Sequence, residues 1–141
     1  MKHSKSILLS VALLLTTGAV RSAEVVAVVS AKSAVTSMTK DQVADVFLGK
    51  TATFPNGSQA VPIDQAPSAS LRDDFYTKVT GRTGAQLKSY WAKQSFSGKG
   101  TPPKAVAGDD EVRKLIAANP NMIGYLEKSK VDASVKIVFA P

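Results

Sequence analysis

Cysteine is absent from the 141 residues of this chain, and histidine occurs once, at His3. Without cysteine the chain can form neither a disulfide framework nor a thiolate metal site, and it offers no thiol nucleophile and no cysteine for a lipid anchor. A serine nucleophile would need a basic partner, and the one imidazole lies at the extreme amino terminus. We therefore expect a protein that is not an enzyme and that holds no metal or other cofactor.

Long apolar runs are scarce as well. Two lysines precede an apolar stretch over residues 7–20, which is shorter than the roughly 20 residues needed to span a bilayer, and small residues follow it. This pattern predicts a secretory signal peptide over residues 1–23, with an uncleaved amino-terminal anchor as the alternative. Residues 24–141 would then form one domain in the periplasm, with no membrane insertion of the mature chain.

Acidic residues are the minority among the charged side chains. Eleven Asp and Glu stand against 18 Lys and Arg, which gives a formal net charge of +7. The basic residues are scattered and do not alternate with aromatic residues, so the sequence argues against a nucleic-acid partner. A modest positive field instead favours small anions or acidic surfaces as partners.

Hydrophobic periodicity divides the chain into strands and helices. The run Val25–Val29 predicts a strand buried on both faces. Capping boxes at Thr39 and Thr83, each with a glutamine three residues later, mark the starts of two helices. The predicted order is β-α-β-α-α-α-β-β with no internal repeat, which indicates a layered α/β domain.

The remaining elements follow from proline, acidic residues and apolar runs. Residues 60–63 predict a second strand, in which Pro62 should lie at a sheet edge or at a strand end. We expect residues 97–107 to be a loop, and the acidic residues from Asp109 onward to start a helix rather than to bind calcium. Two final strands are expected at Met122–Leu126 and Val135–Phe139. The predicted core consists of Val26, Val28, Val43, Phe47, Leu71, Phe75, Leu87, Trp91, Leu115, Ile116, Ile123 and Ile137.

Four segments in consistent order resemble a known family. Thr39–Lys50, Tyr90–Trp91, Phe96–Pro103 and Ile123–Tyr125 are similar to motifs of periplasmic phosphate-binding proteins, in particular the small PstS-like branch. The resemblance implies a single three-layer α/β lobe of the periplasmic-binding-protein type (type II-like). It also implies phosphate or a similar small oxyanion as the ligand, and an ABC permease or another envelope protein as the partner.

The candidate anion site is the strand-to-helix loop Asp64–Ser70. Free backbone N–H groups at a helix start attract anions, and the hydroxyls of Ser68 and Ser70 could add donors. The resemblance aligns Ser68-Ala69-Ser70 with the family's Ser-Gly-Thr triplet but Asp64 with its arginine. A carboxylate there would repel phosphate unless Arg72 or a lysine approaches. We therefore expect Ser68, Ala69, Ser70 and Arg72 to hold the ligand.

Purely structural roles are the alternative for the same residues. Ser68 or Ser70 could be only a helix cap, with Ser70 and Asp73 forming a capping box. Arg72 could be a solvated helix residue, and Trp91 fits a core-facing stripe better than a ligand platform. If these alternatives hold, the domain would be an interaction module that has lost its ligand and acts through an envelope protein partner.

Overall fold

The computed structural model describes residues 23–141, so the predicted signal peptide lies outside the described residues except for Ala23. Five strands, four α-helices and one short 3₁₀ turn (Lys128–Lys130) make up the described range. The strands are β1 (Val25–Ser30), β2 (Val61–Gln65), β3 (Lys104–Val106), β4 (Met122–Glu127) and β5 (Val135–Phe139). The helices are α1 (Lys40–Phe47), α2 (Ser70–Thr80), α3 (Gly84–Phe96) and α4 (Asp109–Ala118).

The five strands form one sheet in the order β3-β2-β4-β1-β5. β2 pairs in parallel with β3 and with β4, whereas β1 runs antiparallel to both β4 and β5. The carboxyl ends of β2, β3 and β4 therefore meet at one edge of the sheet. In sheets of this kind, ligands bind in the crevice outside those strand ends.

The predicted order lacks one strand. Residues 97–107 were expected to be a loop, yet β3 lies inside them and pairs with β2 from Ile63 onward. Three partly exposed residues are too few to show any periodicity, so the pattern gave no signal for this strand. The observed order is β-α-β-α-α-β-α-β-β. Pro62 is the second residue of β2 and precedes the pairing with β3, which agrees with a position near a strand end.

Helices cover both faces of the sheet and give the expected three layers. α1, α2 and α3 pack on one face, with Val25, Ala27 and Val29 of β1 in that core. α4 packs on the other face, where its Val112 and Ile116 meet Val26 and Val28. All six residues of β1 are buried, which confirms a valine-rich strand buried on both faces.

Both capping boxes are present. The Thr39 hydroxyl accepts from the Gln42 amide at 3.2 Å, and the Gln42 side chain accepts from the Thr39 amide at 2.9 Å. Thr83 and Gln86 repeat the arrangement at the start of α3. Each box satisfies amide groups that the first helical turn leaves free, so local sequence sets where α1 and α3 begin.

One predicted core residue is exposed. Ile137 is 37% exposed, whereas its neighbour Val138 is buried. Residue pairing jumps from Ala27–Phe139 to Val28–Ile137, so Val138 is an extra residue in β5. Such a bulge shifts the alternation of faces by one residue, and a strictly alternating pattern cannot anticipate it. Leu71 and Leu115 are only partly buried, whereas the other predicted core residues are buried.

Gly124 of β4 provides a test of the packing between α4 and the sheet. A Cβ atom on Gly124 would lie 2.7 Å from Val112 Cγ1 and 3.4 Å from Ile116 Cδ1. We expect Gly124→Ala to lower the free energy of unfolding by about 1–3 kcal/mol, because the core has no room for the methyl group. Urea denaturation measures this change. Gly100→Ala, whose added methyl would meet only Trp91 at 3.9 Å, is the control; equal losses in the two variants would contradict the packing argument.

Candidate functional site

Two helices begin at the carboxyl edge of the parallel strands. α2 starts at Ser70 after its cap residue Ala69, and α4 starts at Asp109 after Gly108. Neither cap residue makes a side-chain hydrogen bond to the helix start. The first amide groups of both helices are therefore without the side-chain partners that α1 and α3 have.

An open cavity of about 410 Å³ lies between these helix starts. Its lining residues are Ala23, Gln65, Ala69, Ser70, Leu71, Asp74, Asp109 and Glu127. Three of them carry carboxylates and none is basic. The cavity thus combines helix starts, which favour anions, with acidic side chains that repel them.

Only part of the predicted site reaches this cavity. Ala69 and Ser70 line it, whereas Ser68 is exposed outside the lining. The side chain of Arg72 turns toward Asp64 and is 16% exposed, so it is not a solvated helix residue. The capping alternative for the two serines is wrong: the cap residue is Ala69, and Ser70 is already the first helical residue.

Asp64 belongs to β2 and not to the loop in which it was expected. It is 4% exposed, and the connection to α2 comprises only residues 66–69. The Arg72 Nε donates to Asp64 Oδ2 at 3.3 Å, and the Tyr76 hydroxyl donates to the same oxygen at 2.8 Å. Asp64 Oδ1 accepts from the Tyr125 hydroxyl at 2.5 Å and from the Gln65 amide at 2.7 Å. Four donors therefore converge on one buried carboxylate.

Aromatic packing holds the two phenols against Asp64. Phe75 stacks on Tyr125 with ring centroids 4.0 Å apart, and Phe47 meets Phe75 edge-on at 4.8 Å. Burial, reinforced by the Asp64 charge and its hydrogen bonds, raises the pKa of Tyr76 and of Tyr125 well above the ordinary value of 10.0. Both phenols accordingly remain neutral donors at physiological pH.

Tyr76 was not among the site residues expected from the sequence, and Tyr125 was included only as part of a family-like motif. Signals were present: Tyr76 lies four residues after Arg72 on α2, and Tyr125 lies two residues after Ile123 on β4. These spacings place each tyrosine on the same face as a residue that had been singled out. The spacings could not show that both faces converge on Asp64, because that requires the pairing of β2 with β4.

Gln65 joins this polar cluster to the start of α4. Its side-chain amide donates to Asp109 Oδ1 at 2.7 Å and to the Tyr125 carbonyl at 3.0 Å. Asp109 stands in the first turn of α4, which confirms the interpretation of the acidic residues there as a helix start. Throughout residues 23–141, every buried side-chain nitrogen or oxygen has a hydrogen-bond partner.

The candidate site offers hydrogen-bond donors, hydrogen-bond acceptors and charged side chains. Over residues 23–141, no cluster of three or more His, Asp or Glu side chains is arranged to hold a metal ion. Trp91 is buried in the core beside α1, as its apolar spacing predicted. No helix of the same range combines the length and apolar character of a membrane span. The arrangement is suited to holding a small polar ligand at the helix starts.

The Tyr125 hydroxyl makes the free energy of unfolding depend on pH in the alkaline range. Because its pKa is raised in the folded state, the folded protein keeps a proton that the unfolded chain loses above pH 10, and stability falls as pH rises further. Tyr125→Phe should cost about 1–3 kcal/mol at neutral pH. The variant should then lose stability less steeply above pH 10, by about 1.4 kcal/mol per pH unit. Urea denaturation between neutral and alkaline pH tests both effects; parallel pH profiles would contradict the assignment.

Structural comparison identifies the fold. A Clostridium perfringens protein assigned to the phosphate ABC transporter substrate-binding proteins, solved with bound phosphate, matches with a TM-score of 0.66 and 21% identity, over 82% of this chain and 44% of that one. An ABC-type phosphate transport receptor from Vibrio cholerae matches with a TM-score of 0.59, 16% identity and coverages of 82% and 45%. PstS from Borrelia burgdorferi matches with a TM-score of 0.58 and 14% identity, over 82% of this chain and 46% of that one.

The chain therefore spans less than half the length of these three structures. Neither a family model nor a curated protein matches the sequence. At 14–21% identity, the similarity to these structures shows a shared fold. On that evidence, residues 23–141 have a PstS-like fold of the periplasmic-binding-protein type.

Proposed function

We propose that this protein is a periplasmic solute-binding lobe that holds phosphate or a similar small oxyanion at the start of α2. The observation that carries the proposal is the uncapped start of α2, which faces the 410 Å³ cavity through Ala69 and Ser70. The Arg72 amide already donates to the Ala69 carbonyl at 3.1 Å, which leaves the amides of Ser70 and Leu71 to donate to a ligand, and the helix dipole adds partial positive charge. The Ser70 hydroxyl supplies a further donor. Ser68 and Arg72 stand on either side of this helix start.

The acidic lining bears on which anion binds. Asp74, Asp109 and Glu127 repel a fully deprotonated anion, and a carboxylate can only accept a hydrogen bond. An oxyanion that carries its own O–H group can donate to one of these carboxylates, whereas sulfate cannot. The lining thus favours phosphate over sulfate.

The place of the protein in the cell follows as part of the same proposal. Structures that share this fold are described as phosphate ABC transporter substrate-binding proteins, which supports delivery of the ligand to an ABC permease or to another envelope protein. Export through the predicted signal peptide would place the domain in the periplasm. The domain would bind its solute without catalysing a reaction.

A second candidate function rests on the pairing of Arg72 with Asp64. The guanidinium that should grip an oxyanion is already in contact with an internal carboxylate at 3.3 Å. An interaction module without a ligand would show this arrangement, because an internal ion pair needs no external anion. Titration with phosphate separates the two candidates.

We expect calorimetric titration of the mature protein at low salt to show saturable phosphate binding and weaker sulfate binding. Ser70→Pro should weaken phosphate binding about tenfold or more, because it removes one amide donor and one hydroxyl. Proline is well accepted at the first helical position, and Ala69 already has the extended backbone (φ −74°, ψ 120°) that a residue before proline requires.

Lys40→Pro is the matched control, because Lys40 is the first residue of α1 and does not line the cavity. This variant should bind phosphate as the unmodified protein does. Absence of heat and of thermal stabilisation at millimolar phosphate would refute the solute-binding proposal and leave the interaction module. Binding that survives Ser70→Pro unchanged would place the anion away from α2.

The ion pair with Asp64 competes with any contact between Arg72 and a bound anion. Asp64→Asn keeps one acceptor oxygen, which can serve Tyr125 or Tyr76 but not both, and removes the charge that engages the guanidinium. We expect phosphate affinity to rise about tenfold, which corresponds to one charge-assisted hydrogen bond. The same titration measures the change. In the double variant Asp64→Asn/Arg72→Met the gain should vanish; a gain that persists there would show that Arg72 does not contact the anion.

A further inference from the structure

Charge is strongly segregated along this chain. Residues 75–108 contain no aspartate or glutamate but carry six basic residues: Lys78, Arg82, Lys88, Lys93, Lys99 and Lys104. The carboxylates of the candidate site lie on either side of this segment in sequence. One continuous stretch, with α3 at its centre, therefore presents positive charge only.

Most of these basic side chains have no acidic partner. Lys78 pairs with Asp74 at 3.1 Å. The other ion pairs among residues 23–141 involve Arg72, Arg113 and Lys128, so the remaining five cations of the segment form none within the described part of the chain. Their charge is available to an external partner.

A groove of about 760 Å³ runs along the outside of α3. Its charged lining residues are Arg82 and Lys93, and Gln86 and Gln94 add polar groups. The Arg82 guanidinium lies 4.6 Å from the centre of the Tyr90 ring, whose hydroxyl donates to the Leu48 carbonyl at 2.6 Å. Arg82 is thus positioned by a fixed aromatic ring, which lowers the entropy lost when it binds a carboxylate.

An aromatic side chain stands beside the groove with almost no cover. Phe96, the last residue of α3, is 96% exposed. Ser89, Lys93 and Phe96 follow the i, i+4, i+7 spacing of one helix face, so Phe96 shares its face with a basic residue of the groove. Burying such a ring stabilises a complex, and single aromatic anchors of this kind dominate many protein interfaces.

We propose that Arg82, Lys93 and Phe96, named here the α3 face, dock an acidic protein surface that pairs carboxylates with the two cations and covers the ring. Charge complementarity favours an acidic partner, because residues 75–108 contain no carboxylate and neither Arg82 nor Lys93 forms an ion pair within residues 23–141, although Asp41 and Asp45 of α1 line a neighbouring pocket with Arg82. A membrane surface is disfavoured, since a helix that lies in a membrane needs a broad apolar face, whereas Ser89, Lys93 and Gln86 surround the groove. The proposal is independent of anion binding at α2.

The probe is a synthetic glutamate-rich peptide with a central leucine pair, added to the isotope-labelled mature protein and followed by amide chemical shifts in NMR. We expect salt-sensitive, saturable shifts concentrated over residues 81–99. The same peptide with glutamine in place of glutamate should bind at least about tenfold more weakly, because steering and pairing both depend on its charge. Replacing the leucine pair by serine should weaken binding several-fold.

Variants locate the contact. Lys93→Glu and Phe96→Ser should each reduce peptide affinity about tenfold, whereas Lys114→Glu, on the exposed side of α4, has the same charge change as Lys93→Glu and should bind normally. Equal losses in the two charge-reversed variants, or shifts centred outside residues 81–99, would overturn the proposal. So would the same shifts produced by anionic phosphatidylglycerol vesicles, or self-association in the ultracentrifuge that Phe96→Ser removes, because these would assign the face to a membrane or to a second copy.

Discussion

The carboxylate of Asp64 is the polar centre around which the domain is organised. It lies near the carboxyl end of β2, and donors from α2, β2 and β4 converge on it. A charge buried this far from water costs several kcal/mol unless it is paired and fully hydrogen-bonded. Each donor must therefore be held in place, which ties α2 through Arg72 and Tyr76 to the sheet. Gln65 extends the same network to the start of α4.

This interaction also determines what the cavity can do. The one arginine beside the start of α2 is directed inward, so the cavity wall is left with helix amides, a serine hydroxyl and three carboxylates. Such a wall presents hydrogen-bond acceptors in its carboxylates and donors in its amides and hydroxyl, and the proposed preference for a protonated oxyanion rests on this combination. Under the proposed function, Asp64 links the affinity of the anion site to the stability of the interior.

Much of the architecture was predictable from local sequence. The capping boxes at Thr39 and Thr83 and the valine run of β1 are short-range signals, and each element formed where its pattern indicated. β3 escaped prediction because its pairing with β2 is set by the fold and not by its own three residues. Ile137 was placed in the core because nothing in the sequence marks the bulge at Val138. At the site, the helix start was located correctly, but the contact between Asp64 and Tyr125 joins residues 61 positions apart.

The two outer strands of the sheet, β3 and β5, are both poor templates for pairing with a strand of another chain. On one side β3 offers only three residues, preceded by Pro102 and Pro103 and beginning with Lys104. On the other side β5 contains one extra residue, at a bulge, and carries Lys136. Prolines, lysines, short length and bulges all hinder the addition of another strand. Within the described residues, neither margin of the sheet offers a long, regular template, so these features work against edge-to-edge pairing between copies of the domain.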